Sequence, residues 1–172
     1  MANAMAMEAW VNVFRGDLGI ALPDTFTTDA FFRSFDRKFA KLFDGVRHDS
    51  GDPIEFAEKT ISHYQKLGID PHDKTIIFSD SLNPESAIEI KNFCRGKIRC
   101  SFGIGTNFTN DVGVKALNMV IKMTEAKPEG EEWIPTIKLS DVEGKHTGDE
   151  KEIEIAKHIL RIYERSKASN YY

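Results

Sequence analysis

The most informative stretch of this sequence is Lys97-Ile98-Arg99-Cys100-Ser101-Phe102-Gly103-Ile104-Gly105-Thr106-Asn107. It begins as an apolar, strand-like run and ends in two glycines followed by a Thr-Asn pair. Glycine lets the backbone approach a bound group closely, and such a turn can leave amide N–H groups free to form a concave site for an anion. The N-terminus of a following helix adds positive potential. The stretch therefore predicts an anion site, with a plain packing turn as the alternative for Gly103 and Gly105.

Three further apolar runs precede this stretch at regular spacing and predict a parallel sheet. The four predicted strands cover residues 18–22, 45–47, 75–78 and 98–102. Their centres, at residues 20, 46, 77 and 100, lie 26, 31 and 23 residues apart, which is typical of successive strand–helix units. Helices are predicted at residues 28–43, 53–67 and 84–93. The predicted fold class is therefore α/β.

The second predicted helix has the clearest boundaries. Asp52 is placed to cap its N-terminus and Pro53 occupies the first helical position, and apolar residues then recur at helical spacing. After Thr106 the pattern changes, because residues 117–124 and 133–139 are predicted as two further strands and residues 150–166 as an amphipathic C-terminal helix. No long linker divides the chain, so we expect one structural domain or part of one.

Composition and charge exclude several classes of protein. The chain has 172 residues, of which 41% are hydrophobic and 29% charged, with a net charge of −4. The negative net charge, without a row of basic residues, argues against a nucleic-acid partner. No apolar run is long enough to cross a membrane. The two cysteines lack metal-binding spacing and fit a reducing cytoplasm. The five histidines are not spaced like the ligands of a metal and are interpreted as structural or solvated. They are His48, His63, His72, His146 and His158.

Polar residues follow each of the four predicted strands at its carboxyl end. In a parallel sheet or barrel these positions converge on one face, where ligands bind. The clusters, in chain order, are Asp24-Thr25, Asp49-Ser50-Gly51-Asp52, Ser79-Asp80-Ser81 and Gly103-Ile104-Gly105-Thr106. Four polar clusters on one face predict a ligand site more strongly than the glycine turn does alone.

Arg47 is a charged residue that the predicted sheet must accommodate. Side chains alternate along a strand, so Arg47 and Asp49 point to one face while Val46 and His48 point to the other. A guanidinium in a central strand needs partners. Asp49 is one, and a bound phosphate or carboxylate would take the remaining donors. A plain Arg–Asp pair at the strand end is the alternative.

Other polar residues also allow two interpretations. Asp52 is favoured as a helix cap over a ligand, whereas Asp24 and Asp80 fit a turn or a ligand site equally. Lys122, in a strand-like alternation, is interpreted as solvated. The sequence contains no P-loop, no complete dinucleotide fingerprint and no Gly-x-Ser-x-Gly or HExxH motif, which excludes the commonest nucleotide-binding and hydrolase signatures.

Together these motifs resemble those of the nicotinate phosphoribosyltransferases of the bacterial type, over nearly the whole chain. The matching stretches are Gly16-Asp17-Leu18-Gly19-Ile20-Ala21-Leu22, Arg47-His48-Asp49-Ser50-Gly51-Asp52-Pro53, Phe78-Ser79-Asp80, Ser101-Phe102-Gly103-Ile104-Gly105-Thr106-Asn107, Leu117-Asn118-Met119-Val120-Ile121-Lys122 and Lys138-Leu139-Ser140-Asp141. The resemblance implies a type II phosphoribosyltransferase with an irregular, TIM-like α/β barrel, of which about four βα units are present. Such enzymes join nicotinate to phosphoribosyl pyrophosphate in NAD salvage, with coupled ATP hydrolysis and Mg²⁺.

The resemblance also implies roles for individual residues. Arg47 would lie at the nicotinate and phosphoribosyl site, and Asp49 would face the ribose or the pyrophosphate–magnesium region as the candidate catalytic residue. Asp80 would lie beside the ribose hydroxyls, with the neighbouring Ser79 also contacting substrate. The 5-phosphate would be held by Gly103, Gly105 and Thr106. No residue is assigned directly to the metal.

The sequence also departs from the family pattern. The family's phosphorylated histidine belongs to an upstream segment that nothing here matches, and His48 is part of a different motif. We therefore expect residues 1–172 to be the C-terminal part of the barrel domain, without the N-terminal domain and the early barrel strands. The isolated chain is expected to be inactive and to associate with itself or a complementary piece, whereas the full-length enzyme would be a homodimer. The alternatives are a related nicotinamide or quinolinate phosphoribosyltransferase, or an inactive phosphate-binding or oligomerisation fragment.

Overall fold

Four short parallel strands, hydrogen-bonded in chain order, form the central sheet of the protein. A computed structural model describes residues 2–117, 119–142 and 145–162. The strands are β1 (Ile20–Ala21), β2 (Gly45–His48), β3 (Thr75–Phe78) and β4 (Arg99–Phe102), in the order β1-β2-β3-β4. The predicted parallel sheet is therefore confirmed. β1 is shorter than predicted because Leu18 has a left-handed φ of 55° and is 69% exposed, which is incompatible with a buried strand.

Helices connect and cover the strands. They are α1 (Ala2–Phe14), α2 (Thr28–Ser34), α3 (Arg37–Leu42), α4 (Pro53–Lys66), α5 (Pro84–Cys94), α6 (Thr106–Thr109) and α7 (Glu150–Leu160), with a short 3-10 helix at Pro71–Asp73. Asp52 caps α4 as predicted, accepting hydrogen bonds from the amides of Ile54 and Glu55. The helix bounds otherwise follow the prediction closely in α4 and α5.

The prediction of a single helix over residues 28–43 is wrong. The chain leaves the helical conformation at Phe35, whose side chain is fully buried, and begins α3 at a new N-cap. Asp36 supplies that cap by accepting hydrogen bonds from the amides of Lys38 and Phe39. A buried aromatic followed by a capping aspartate breaks the helix because the aspartate satisfies amides that would otherwise lack partners.

The core lies between one face of the sheet and the helices. Val46, Ile76 and Phe78 point to this face and are completely buried, packed with aromatic side chains of the helices and connecting turns such as Phe35 and Tyr64. The strands approach closely at Gly45, which pairs with Thr75 in register. The opposite face of the sheet carries the more exposed side chains of β2 and β4, so the polar residues of the candidate site lie away from the core.

The region after α6 differs most from the prediction. Among the described residues of this region, the strands are β5 (Glu125–Ala126) and β6 (Ile134–Pro135), which form a separate antiparallel pair. The predicted strand over residues 117–124 is therefore wrong: Leu117 is 88% and Ile121 94% exposed, and Asn118 lies outside the described residues. An apolar run of this kind forms a strand only where a neighbouring strand pairs with it.

The chain then returns to the loop after β1 and continues into α7. Leu139 forms an isolated parallel bridge with Phe26, and Lys138 an isolated antiparallel bridge with Thr147, so within the described residues the predicted strand 133–139 is present only as β6 and these bridges. The last helix stops at Leu160, where Arg161 adopts a left-handed φ of 51°. The predicted end at residue 166 lies outside the described residues. Within the described ranges, no helix combines the length and apolar character needed to span a membrane.

Candidate functional site

Arg47, Asp49 and Ser79 form a hydrogen-bonded cluster at the carboxyl ends of β2 and β3. Nε of Arg47 donates to Oγ of Ser79 over 2.8 Å, and Nη2 donates to Oδ1 of Asp49 over 2.6 Å. The Ser79 hydroxyl also lies 3.2 Å from Oδ1 of Asp49. The predicted Arg47–Asp49 pair is therefore confirmed. Two of five guanidinium donors are used in these bonds, and the Arg47 side chain remains 44% exposed, so the cluster has capacity to bind an anion.

His48 points away from this cluster and into the core, as strand alternation predicts. It is 2% exposed and packs against Phe56 and Phe78, with ring centroids 5.1 and 5.7 Å away. Within the described part of the chain, neither ring nitrogen has a hydrogen-bond partner. Burial lowers the pKa of His48, against the opposing influence of Asp80 and of backbone groups of Gly51 and Ser50. The ring is a neutral core residue beneath the site.

This burial predicts that His48 contributes to the pH dependence of stability. Because its pKa is lower in the folded than in the unfolded chain, the unfolded chain binds more protons as the pH falls below about 6.5, and stability falls with it. The free energy of unfolding of His48→Leu is expected to lie within about 1.5 kcal/mol of the parent value at pH 7.5. Between pH 7.5 and 5.5 the variant is expected to lose less stability than the parent does. Urea unfolding at the two pH values measures both quantities, and an unchanged loss in the variant would contradict the assignment.

Gly103 brings the turn after β4 against the cluster. Its amide donates to the Phe78 carbonyl over 2.8 Å, and a Cβ added at Gly103 would lie 3.4 Å from Cβ of Ser79. Gly103 therefore lies close to the residue that hydrogen-bonds Arg47. The structure places Gly103 next to Ser79 at the same end of the sheet, as the shared spacing of the polar clusters predicts.

The first amides of α6 belong to the same turn. Thr106 and Asn107 begin α6, and no hydrogen bond within the described ranges uses their amide N–H groups. Gly105 supplies no side-chain cap, and its own added Cβ would meet no atom within 4 Å. The Asn107 side chain donates to the Leu82 carbonyl over 2.7 Å, which fixes the turn to the loop after β3. Amides that lack a partner within the described ranges, in a turn that follows a strand of the same sheet, suit an anionic ligand.

Asp80 lies beside the cluster without joining it. Its carboxylate accepts a hydrogen bond from the Ser81 hydroxyl over 3.0 Å, and Ser81 has a left-handed φ of 50° that turns the chain towards α5. Among the described residues, no hydrogen bond joins Asp80 to Arg47 or Asp49. The sequence order keeps it at the same end of the sheet, next to Ser79.

Asp24 belongs to a second polar group at this end of the sheet. It is 6% exposed, accepts a hydrogen bond from Ser50 over 2.7 Å and forms an ion pair with Lys138. Asp141 similarly accepts from the amide of Thr28 over 3.0 Å. Lys138 and Asp141 were not among the predicted site residues. Their stretch resembles a family motif, but the sequence contains no signal that pairs it with the loop after β1.

Comparison with known proteins gives the family of the chain. A model described as the nicotinate phosphoribosyltransferase (NAPRTase) family matches residues 1–164. The chain belongs to the nicotinate phosphoribosyltransferase family. Among curated relatives, the nicotinate phosphoribosyltransferase of Chromohalobacter salexigens is 67% identical over 166 residues, which are 96% of this chain and 43% of that protein. The Methanosarcina acetivorans protein of the same name is 50% identical over 92% of this chain and 39% of its own length.

Solved structures of nicotinate phosphoribosyltransferases have the same fold over this region. The enzyme of Porphyromonas gingivalis superposes with a TM-score of 0.90 at 55% identity, covering 94% of this chain and 42% of that one. The enzyme of Vibrio cholerae gives a TM-score of 0.86 at 39% identity, covering 93% of this chain and 39% of that one. The chain thus spans about two fifths of the length of these nicotinate phosphoribosyltransferases.

The acidic residues of the chain fit a magnesium ion only together with a ligand that supplies further oxygen atoms. Within the described ranges, no group of three or more His, Cys, Asp or Glu residues is arranged to hold a metal. Mg²⁺ is commonly held by one or two carboxylates together with substrate phosphates and water. Asp49 suits this arrangement because both hydrogen bonds from Arg47 and Ser79 reach its Oδ1, and no described residue hydrogen-bonds its Oδ2.

Proposed function

We propose that this chain carries the phosphoribosyl-donor face of an enzyme that joins nicotinate to phosphoribosyl pyrophosphate, giving nicotinate mononucleotide and pyrophosphate in NAD salvage. The observation that carries the proposal is the Arg47–Ser79–Asp49 cluster next to the glycine turn and the unpaired amides of Thr106 and Asn107. A cation and free amide donors on one exposed face suit a ligand with several phosphate groups. The names of the relatives support nicotinate as the base.

In the proposed reaction the pyridine nitrogen of nicotinate attacks C1 of the ribose. The bond from C1 to the pyrophosphate oxygen breaks, its electron pair leaves with pyrophosphate, and positive charge develops on the sugar ring. The carboxylates of Asp49 and Asp80 stabilise that charge in the proposed reaction, while Arg47 binds an anionic group of either substrate. Gly103, Gly105 and Thr106 hold the 5-phosphate. Asp49 would help to hold a Mg²⁺ ion, which would supply positive charge to screen the leaving pyrophosphate.

The remaining parts of the proposal concern the whole enzyme. The four-stranded sheet would be part of an irregular TIM-like barrel, and residues 1–172 the C-terminal part of that barrel domain. The complete protein would be a cytoplasmic homodimer that couples the reaction to ATP hydrolysis. Apolar side chains are exposed after α6, which supports the proposal that another part of the polypeptide covers them in the complete enzyme. Those at least 67% exposed are Val112, Val114, Leu117, Met119, Val120, Ile121 and Met123.

Calorimetry of the 172-residue chain with phosphoribosyl pyrophosphate and Mg²⁺ tests the proposed function. We expect micromolar binding without formation of nicotinate mononucleotide, because the chain carries the donor site and the coupling histidine of the family is not matched. Competition between nicotinate and nicotinamide in the same assay distinguishes the two bases. Absence of donor binding would contradict the proposed site, and robust turnover would contradict the expected inactivity of the isolated chain.

A second candidate function is a phosphate-binding or oligomerisation module without catalysis of its own. The exposed apolar segment after α6 favours it, because surfaces of this kind are typical of interaction sites. Inorganic phosphate is the discriminating ligand. A phosphate-binding module would bind phosphate and phosphoribosyl pyrophosphate with similar affinity, whereas a donor site would bind phosphoribosyl pyrophosphate much more tightly.

A further inference from the structure

A short segment distant in sequence lies across the carboxyl end of β1. We call residues 138–141 the strap. The amide of Leu139 donates to the Thr25 carbonyl over 2.8 Å, and the Leu139 side chain is 3% exposed. Asp141 accepts from the amide and the hydroxyl of Thr28. The strap is thus attached to the β1–α2 loop by backbone pairing, burial and side-chain hydrogen bonds.

The strap also reaches the loop that carries Asp49. A Cβ added at Gly51 would lie 3.9 Å from Cβ of Asp141. Asp24 links the two loops, because its buried carboxylate is held by Lys138 on one side and by the Ser50 hydroxyl on the other. A buried carboxylate without a cation is costly, so loss of Lys138 would leave Oδ2 of Asp24 without its partner and destabilise the loop arrangement in which Asp24 holds Ser50.

We propose that Lys138 is a positioning residue, which acts through Asp24 and Ser50 to fix the backbone that carries Asp49. No hydrogen bond or ion pair within the described ranges joins Lys138 to Arg47, Asp49 or Ser79. Its influence on the site therefore passes through the Asp24 carboxylate. The effect on donor binding rests on the proposed function, whereas the effect on loop order does not.

Amide hydrogen exchange followed by mass spectrometry tests the loop order in the 172-residue chain. Lys138→Met is expected to speed exchange about tenfold in peptides that cover residues 24–28 and 49–52, with residues 75–78 unchanged. Lys138→Arg, which keeps the charge, is expected to restore slow exchange. Lys127→Met removes an exposed lysine of the β5–β6 turn and serves as the matched control. Unchanged exchange at residues 49–52 in Lys138→Met would overturn the proposal.

A double-substitution cycle tests whether Lys138 acts through Ser50. Lys138→Met and Ser50→Ala are each expected to weaken phosphoribosyl pyrophosphate binding about tenfold. The affinity of the double variant is expected to be at most about twofold lower than that of the single variant with the lower affinity. Losses that multiply would indicate that Lys138 acts independently of Ser50 and would overturn the positioning role. If the parent chain does not bind the donor, the proposed function fails, and the exchange experiment still decides whether Lys138 orders the loop.

Discussion

Replacing Arg47 with alanine is expected to weaken phosphoribosyl pyrophosphate binding by the 172-residue chain between about tenfold and one hundredfold. Arg47 is the cation of the Arg47–Ser79–Asp49 cluster, and a hydrogen bond to a charged group contributes about 1.5–3 kcal/mol. Its loss also leaves Asp49 without the cation that compensates it, so the site becomes more negative towards an anionic ligand. Arg47→Lys keeps the charge but loses the planar, forked arrangement of N–H donors, and a loss smaller than that of Arg47→Ala, of at most about tenfold, is expected. Calorimetry with Mg²⁺ at fixed ionic strength measures these affinities.

Arg99 provides the matched control in the same sheet. It lies at the opposite end, at the start of β4, where its Nε donates to the His72 carbonyl and its side chain is 63% exposed. Arg99→Ala removes the same charge from the chain and is expected to change donor affinity by less than about twofold. Equal losses in Arg47→Ala and Arg99→Ala would mean that net charge, and not the site, controls binding.

Replacing Gly45 with alanine is expected to destabilise the chain by at least about 3 kcal/mol. Gly45 and Thr75 are paired in register at the start of β2 and β3. An added Cβ would lie 1.8 Å from the Thr75 carbonyl oxygen and 2.7 Å from its carbonyl carbon, so the two central strands would have to separate. For a chain of this size the melting temperature should fall by about 6–12 °C, which circular dichroism measures.

Gly105→Ala is the control for the general effect of adding a methyl group at glycine. A Cβ at Gly105 has no atom within 4 Å, and its stability is expected to lie within about 1 kcal/mol of the parent. The interpretation of β2–β3 packing is refuted if Gly45→Ala melts as the parent does.

The sequence predicts the sheet well because each strand and each connection has a local signal. Thr75–Phe78 matches its predicted bounds, and the alternation of polar and apolar residues correctly places Arg47 on the exposed face and His48 in the core. Asp52 and Pro53 mark the start of α4 for reasons that also operate in a short peptide. These features depend on neighbours in the chain.

The features that were not predicted depend on contacts distant in sequence. The ion pair of Asp24 with Lys138 joins residues from two loops, and no spacing rule connects them. The exposed run that includes Ile121 has the composition of a strand, but composition does not supply the neighbour that a strand needs. The interruption of residues 28–43 at Phe35 was missed because burial of that ring in the core outweighs the helical pattern.

The hydrogen bond between Thr28 and Asp141 spans 113 residues, and this separation has a consequence for the order of folding. Closing so long a loop costs entropy that is recovered only when the ends pack together, whereas the β2–β3 pairing joins residues only 30 apart. The sheet core is therefore expected to assemble first and the strap to join it late. During synthesis, a chain that has not yet reached residue 141 would already contain its folded sheet, but not the loop arrangement around Asp24.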